Sequence, residues 1–267
     1  MLKVSKGMKL IKIFINYFIR KIFFFLQLKI NTPPPSSKNY FLIANTNKKI
    51  INMINLCDKF SMTGKARAHS LCKAVEYVSN LKLKGDFVEC GVWKGGNLLL
   101  LNKLNSYYNL NKLIYGFDTF EGMTQPSKHD YDLNNISAKQ QLKNIDKSSE
   151  KKNLWCYSSL EDVKNNIGRH AKINNIKLIK GPVEKTLIKK ENLPKKISIL
   201  RLDTDFYEST KKELEVLYPL LVKNGVLIID DYGHWKGAKK AVDQYFKGTF
   251  CWLHRVDYTC VYLIKNN

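Results

Sequence analysis

Two apolar runs that end in aspartates constrain this chain most. ISILRLD at 197–203 and VLIID at 226–230 are each about the length of one buried strand, and the acids at their ends continue into RLDTDFYEST and LIIDDYGHW. Parallel strands made from them deliver Asp203, Asp205, Asp230 and Asp231 to one edge of a sheet. That edge, beyond the carboxyl ends of the strands, is where open α/β sheets bind ligands. Four carboxylates gathered there repel one another and raise their own pKa values unless a metal or a proton intervenes. The same residues allow a plainer reading, in which Asp203 and Asp205 start a helix while Asp230 and Asp231 open a turn.

The rest of the chain supplies a sheet for those strands. DFVECG at 86–91 reads as a strand that runs into a helix opened by Gly95, Gly96 and Asn97, and KLIYGFD reads as a second strand ending at Asp118. A helix from about Leu160 to Ala171, a strand at IKLIKG, helices from Glu208 to Leu221 and from Gly237 to Phe246, and two closing strands near Cys251 and Val261 complete the order. Strands alternating with helices imply a mostly parallel sheet, here of seven strands; the last two, with no helix between them, imply an antiparallel C-terminal edge. Residues 124–153 are polar and read as a long loop or lid.

Of 45 basic residues, ten lie in the first 57 positions, a stretch without any Asp or Glu. Within residues 1–30, Ser5, Lys9, Lys12, Asn16 and Arg20 form one helical stripe, with Ile11, Phe14, Ile15, Phe18, Ile22 and Phe25 opposite. Asn16, Arg20, Lys21 and Gln27 interrupt any bilayer-spanning run, so the profile is that of a basic amphipathic helix on an anionic membrane surface, or docked on another subunit. Thr32 to Ser37, with three consecutive prolines, forms a spacer; 31–57 is read as spacer plus linker helix, and 58–267 as the main domain. The helical pattern of 39–83 could cover a neighbouring active site in a homo-oligomer. Six cysteines without metal-ligand spacing fit reduced thiols in a cytoplasmic protein, with contact at the inner face of the membrane through residues 1–30. The net charge of +22 raises nucleic acid as a partner, yet no basic patch interleaves with aromatics as in an RNA module, so none is expected.

ECGVWKGG lacks the G-x-G-x-x-G spacing of dinucleotide sites, and no Walker lysine follows its glycines, which argues against hydride and phosphoryl transfer. The glycine turn still admits a close backbone approach, and Glu89 at the strand end suits a cationic ligand group. Asp118 is placed to accept from two ribose hydroxyls. S-adenosylmethionine fits this combination better than a pyrophosphate; a tight turn with no ligand is the alternative.

GDFVECGVWKGG, GFDTFEGM, GPVEKTL, ISILRLDTDFYEST, LYP and GVLIIDDYGHWKGAKKAVDQYF together resemble the macrocin O-methyltransferase family, over roughly residues 58–250. The family includes sugar O-methyltransferases of macrolide and aminocoumarin antibiotic pathways. The resemblance implies a class I, Rossmann-like S-adenosylmethionine-dependent methyltransferase, a Mg²⁺ requirement, and methylation of a hydroxyl on a sugar or glycoside. By motif, Asp203, Asp230 and Asp231 match the family's metal ligands and Asp205 its general base. Glu89 and Gly91 match the adenosylmethionine turn, Asp118 the ribose contact, and Ser159, Leu160 and Glu161 the stretch lining the adenine pocket. Thr204 stands where many relatives carry glycine. His234 lies outside the transferred pattern and is a second candidate base. A bacterial surface glycan is the expected setting beside natural-product glycosides. Catechol-type methylation of a small aromatic diol, and a basic nucleic-acid-binding protein, stand as the rival readings.

Overall fold

The computed structural model describes residues 46–147 and 154–266. The readings made for residues 1–30, and for the spacer up to residue 45, lie outside them. Two helices open the described chain, α1 (Lys48–Cys57) and α2 (Lys65–Asn80). There follow β1 (Asp86–Cys90), α3 (Gly96–Tyr107), β2 (Ile114–Asp118), α4 (Ala138–Lys143), α5 (Leu160–Gly168), β3 (Ile176–Lys180) and α6 (Val183–Thr186). The second half holds β4 (Ile197–Leu202), α7 (Tyr207–Leu217), β5 (Leu221–Ile229), α8 (Lys236–Tyr245), β6 (His254–Arg255) and β7 (Val261–Ile264).

The seven strands form one sheet in the order β3-β2-β1-β4-β5-β7-β6, parallel from β3 to β5 and antiparallel at β5–β7 and β7–β6. After β3 the chain crosses back to place β4 beside β1, so the strand order reverses between these two. Such a switch point opens a crevice at the carboxyl ends of the strands. β4 is buried along its whole length and the last five residues of β5 are buried, as strands covered by helices on both faces must be. β7 alternates buried with half-buried residues, the pattern of an edge with one covered face. The first closing strand is only His254–Arg255, three residues beyond its expected place near Cys251.

Within the described residues, the helical pattern read for 39–83 forms two helices with a break at 58–64 between them. Helix α1 packs on α2 and α3 inside the unit that runs from Asn45 onward, so the linker helix expected before residue 58 contributes to the main body. The polar stretch after 124 holds α4 and is tied down by two buried aspartates. Asp130 accepts from the Tyr207 N–H at 2.7 Å, which caps the start of α7, and from the Ser127 N–H at 2.6 Å. Asp132 accepts from the backbone of Asn134 and Ile136 and from the Gln141 amide. Gly237 is required beside Asp130, because a Cβ there would lie 1.9 Å from its Oδ1. Among the described residues, no helix is long and apolar enough to cross a membrane.

Candidate active site

The crevice at the switch point is a cavity of about 420 Å³. Gly91, Val92 and Trp93 line it from the end of β1, Asp118 from β2, Asp203 to Asp205 from β4, and Asp230, Asp231 and His234 from β5. Its apolar wall includes Met123, Leu154 and Val183. Gly91 adopts φ +85, and a Cβ on it would sit 1.9 Å from the Asp203 carbonyl oxygen. Only glycine lets the turn after β1 lie this close to the end of β4. Asp118 locks that turn from the other side: its Oδ2 accepts from Val92 N at 2.6 Å and Trp93 N at 3.0 Å, and its Oδ1 from Phe120 N at 2.7 Å. Burial raises its pKa, and the three backbone donors oppose the rise. The two backbone donors fill Oδ2, so a ribose hydroxyl would have to use Oδ1, which accepts from Phe120 N and, weakly, from the Thr119 hydroxyl at 3.4 Å. Trp93, Cys156 and Asp205 line the cavity with positive φ, a conformation that costs about 1–3 kcal/mol per residue and gathers at functional sites.

Beneath the acids lies Arg201, fully buried in β4. It donates to Glu89 Oε1 and Asp203 Oδ2 at 2.7 Å, to Asp230 Oδ1 at 2.5 Å and to Thr63 Oγ1 at 2.9 Å. Arg67 of α2 pairs with the other oxygen of Asp230 and with Asp257 Oδ2 at 3.0 Å. One buried guanidinium shared among three carboxylates does not offset the burial of each. Desolvation, the largest influence on every one, pushes Glu89 up to about 8 and Asp230 up to about 6, and raises Asp203.

Asp203, Asp205 and Asp231 each bring an oxygen within 4.8 Å of the others. Burial, and then the neighbouring Asp205 charge, raise Asp231 well above the usual carboxylate range, while burial pushes Asp205 up to about 7. The two carboxyls titrate as a pair, and burial together with their mutual repulsion favours a proton shared between them. One buried oxygen of Asp231, Oδ2, has no hydrogen-bond partner. His234 also faces the cavity with a buried, unpartnered Nδ1. Burial lowers its pKa, so the ring is neutral at pH 7.

The structure thus brings seven of the expected residues to one cavity: Gly91, Asp118, Asp203, Asp205, Asp230, Asp231 and His234. It places the others elsewhere. Glu89 points into the Arg201 cluster and forms no part of the cavity wall, so its carboxylate serves a buried cation of the protein itself. Ser159 caps α5, with Asp162 returning the bond, and neither it nor Leu160 nor Glu161 lines the cavity. Acids and hydroxyls that cap helices look the same in sequence as those that meet ligands. Arg67 went unnoticed in sequence. Arg201 was readable: a guanidinium inside an apolar strand demands acidic partners.

The chain matches the macrocin O-methyltransferase (TylF) model over residues 55–265. It is 28% identical to demethyldecarbamoylnovobiocin O-methyltransferase of Streptomyces niveus over 188 residues, 69% of this chain and 67% of that protein. It is 30% identical over 175 residues to the 8-demethyl-8-(2,3-dimethoxy-alpha-L-rhamnosyl)-tetracenomycin-C 4'-O-methyltransferase of Streptomyces olivaceus, covering 64% of this chain and 62% of that one. Among solved structures, the O-methyltransferase NovP superposes with a TM-score of 0.70 at 23% identity, covering 82% of this chain and 98% of NovP. The calicheamicin methyltransferase CalS11 gives 0.57 at 16% identity, over 88% and 99%. With these matches, the strand order and the switch-point cavity identify a class I methyltransferase fold. The chain belongs to the macrocin O-methyltransferase family and is an S-adenosylmethionine-dependent O-methyltransferase.

Proposed function

We propose that the protein methylates a sugar hydroxyl, with a divalent cation held at its acid edge, in the assembly of a glycoside or surface glycan. One observation carries this reading: Asp203, Asp205 and Asp231 converge in the wall of the cavity that Gly91 and Asp118 also line. Oxygen donors of this kind suit Mg²⁺. The buried, unpartnered Oδ2 of Asp231 is an acceptor that a cation would satisfy. Asp203 and Asp231 would hold the ion. Asp230, which the family resemblance adds as a ligand, lies outside the three converging acids, with its two oxygens paired to Arg201 and Arg67. A hard cation at this place supplies Lewis-acid stabilisation to a hydroxyl that is losing its proton.

Asp205 takes that proton. Its oxygen lies beside those of Asp203 and Asp231, within reach of a hydroxyl that a cation there would hold. The methyl comes from the sulfonium of S-adenosylmethionine, whose ribose Asp118 receives while the turn at Gly91 admits its close approach. Met123, Leu154 and Val183 exclude water from the same cavity. The names of the relatives support a sugar acceptor, including a rhamnosyl group in the tetracenomycin enzyme. For residues 1–30 we retain peripheral attachment to an anionic membrane on the cytoplasmic face, supported by ten basic and no acidic residues in the first 57.

The test is product mapping. Enzyme, Mg²⁺ and labelled S-adenosylmethionine are incubated with rhamnosides, nucleotide-linked sugars and catechols. A methyl ether on a sugar hydroxyl is expected, and transfer confined to the catechols contradicts the sugar assignment.

A further inference from the structure

Asp205 lies in the left-handed region, with φ +67, and the Phe206 N–H donates across it to the Thr204 carbonyl at 2.7 Å. A hydrogen bond that spans one residue at positive φ marks a γ-turn, a strained form that persists only where its surroundings over-determine it. Its downstream arm is well held. Phe206 is buried edge-on against Trp235, with ring centroids 5.6 Å apart, and the Tyr207 N–H bonds Asp130 at 2.7 Å. The upstream arm has two side-chain contacts, a long one in which the Ser209 hydroxyl donates to the Thr204 carbonyl at 3.4 Å and a shorter one from the Thr204 hydroxyl. The Thr204 hydroxyl donates to Glu213 Oε1 at 2.9 Å.

Glu213 sits on α7 with no exposed surface and its Oε2 has no hydrogen-bond partner. It does not line the cavity, so it meets neither donor nor acceptor in the reaction described above. A buried carboxyl is costly unless it is neutral or bonded, and burial pushes this one up to about 8. It therefore adds no full charge beneath an edge that already holds four aspartates. What it supplies is a fixed acceptor under Thr204, midway between Asp203 and Asp205.

We propose that Glu213 is a positioning residue for Asp205: through the Thr204 hydroxyl it holds the γ-turn that aims the Asp205 carboxylate at Asp203 and Asp231. The inference rests on the reading of the acid edge given above. Thr204 is one half of this brace and Glu213 the other.

The experiment measures Mn²⁺ binding to the full chain by electron paramagnetic resonance, with S-adenosylhomocysteine affinity and thermal melting as controls. Thr204→Ser and Glu213→Gln keep a donor and an acceptor, and are expected to bind Mn²⁺ as the wild type does. Because Asp205 is one of the three carboxylates that converge at the cation position, turning it away in Thr204→Val and Glu213→Leu should weaken Mn²⁺ by about tenfold while S-adenosylhomocysteine affinity stays within about twofold. Glu213→Leu leaves an apolar core and is the variant more prone to misfold, so Thr204→Val is decisive. Wild-type Mn²⁺ affinity in Thr204→Val, or a loss in Glu213→Gln equal to that in Glu213→Leu, overturns the proposal. If the wild type binds no Mn²⁺, the metal reading alone fails, and a crystal structure of Thr204→Val decides the brace. Asp205 relaxed to negative φ supports it, and an unchanged γ-turn refutes it.

Discussion

Glu89 and Arg201 are register partners on the adjacent parallel strands β1 and β4, and their buried side chains meet at 2.7 Å. Arg201 is also the common anchor of Asp203 and Asp230, so it holds the acid edge to the sheet beneath it. Replacing it by leucine leaves the buried Glu89 and the part-buried Asp203 without their cation, and leaves Asp230 with Arg67 alone. Arg201→Leu should cost about 3–5 kcal/mol in urea unfolding, the range for breaking a buried ion pair from one side. Glu89→Gln keeps an acceptor and should cost about 1–2 kcal/mol. Because Glu89 lies outside the cavity wall, its replacement should leave the Kd for S-adenosylhomocysteine within about twofold, measured by calorimetry. A large loss of cofactor affinity would instead support direct contact with the ligand's amino group.

The framework was legible from strand character. Runs such as DFVEC and ISILRL are apolar enough to be buried on both faces, and the uninterrupted step from the 250s to the 260s marked the antiparallel edge. The acids of β4 and β5 were legible for the same reason, since a strand end fixes where its next residue points. Side-chain allegiance was not. Glu89 and Asp118 both sit at strand ends, yet one turns inward to Arg201 while the other faces the cavity. Asp130 and Asp132 organise a stretch that looked structureless, because the partners they cap lie dozens of residues away in α7 or in their own turn. Arg67 reaches Asp230 across 163 positions, a pairing no local pattern records.

Stability should fall as pH rises. Burial holds Glu89 and Glu213 at about 8 and Asp205 at about 7, above the value of roughly 4 that such groups have when unfolded. The folded chain therefore keeps protons that the unfolded chain has released. This contribution is complete below about pH 4 and is lost as pH climbs through about 8. The urea midpoint of the metal-free protein should drop between pH 5 and pH 8.5. Glu213→Gln removes one titrating group and should flatten that drop by as much as about 1.4 kcal/mol per pH unit within the window. An unchanged slope would mean that Glu213 stays ionised in the fold.

Asp205 and His234 compete for the role of base, and substitution separates them. Asp205→Asn removes a group whose pKa is near neutrality beside Asp203 and Asp231, and should lower kcat by about 10² to 10⁴. His234→Gln preserves shape and hydrogen-bonding capacity, and should keep kcat within about tenfold. Its acceptor KM can rise, since the ring lines the cavity. The reverse ranking in single-turnover kinetics would transfer the role to His234.

If the acid edge works through a divalent cation on a hydroxyl acceptor, methyl transfer depends on that ion. The most direct measurement is methyl transfer from labelled S-adenosylmethionine before and after treatment with EDTA and dialysis, followed by titration with Mg²⁺. Chelated enzyme should still bind S-adenosylhomocysteine, lose transfer, and regain it with Mg²⁺ in the wild type but not in Asp231→Ala. Full transfer by the chelated, dialysed enzyme would contradict that dependence.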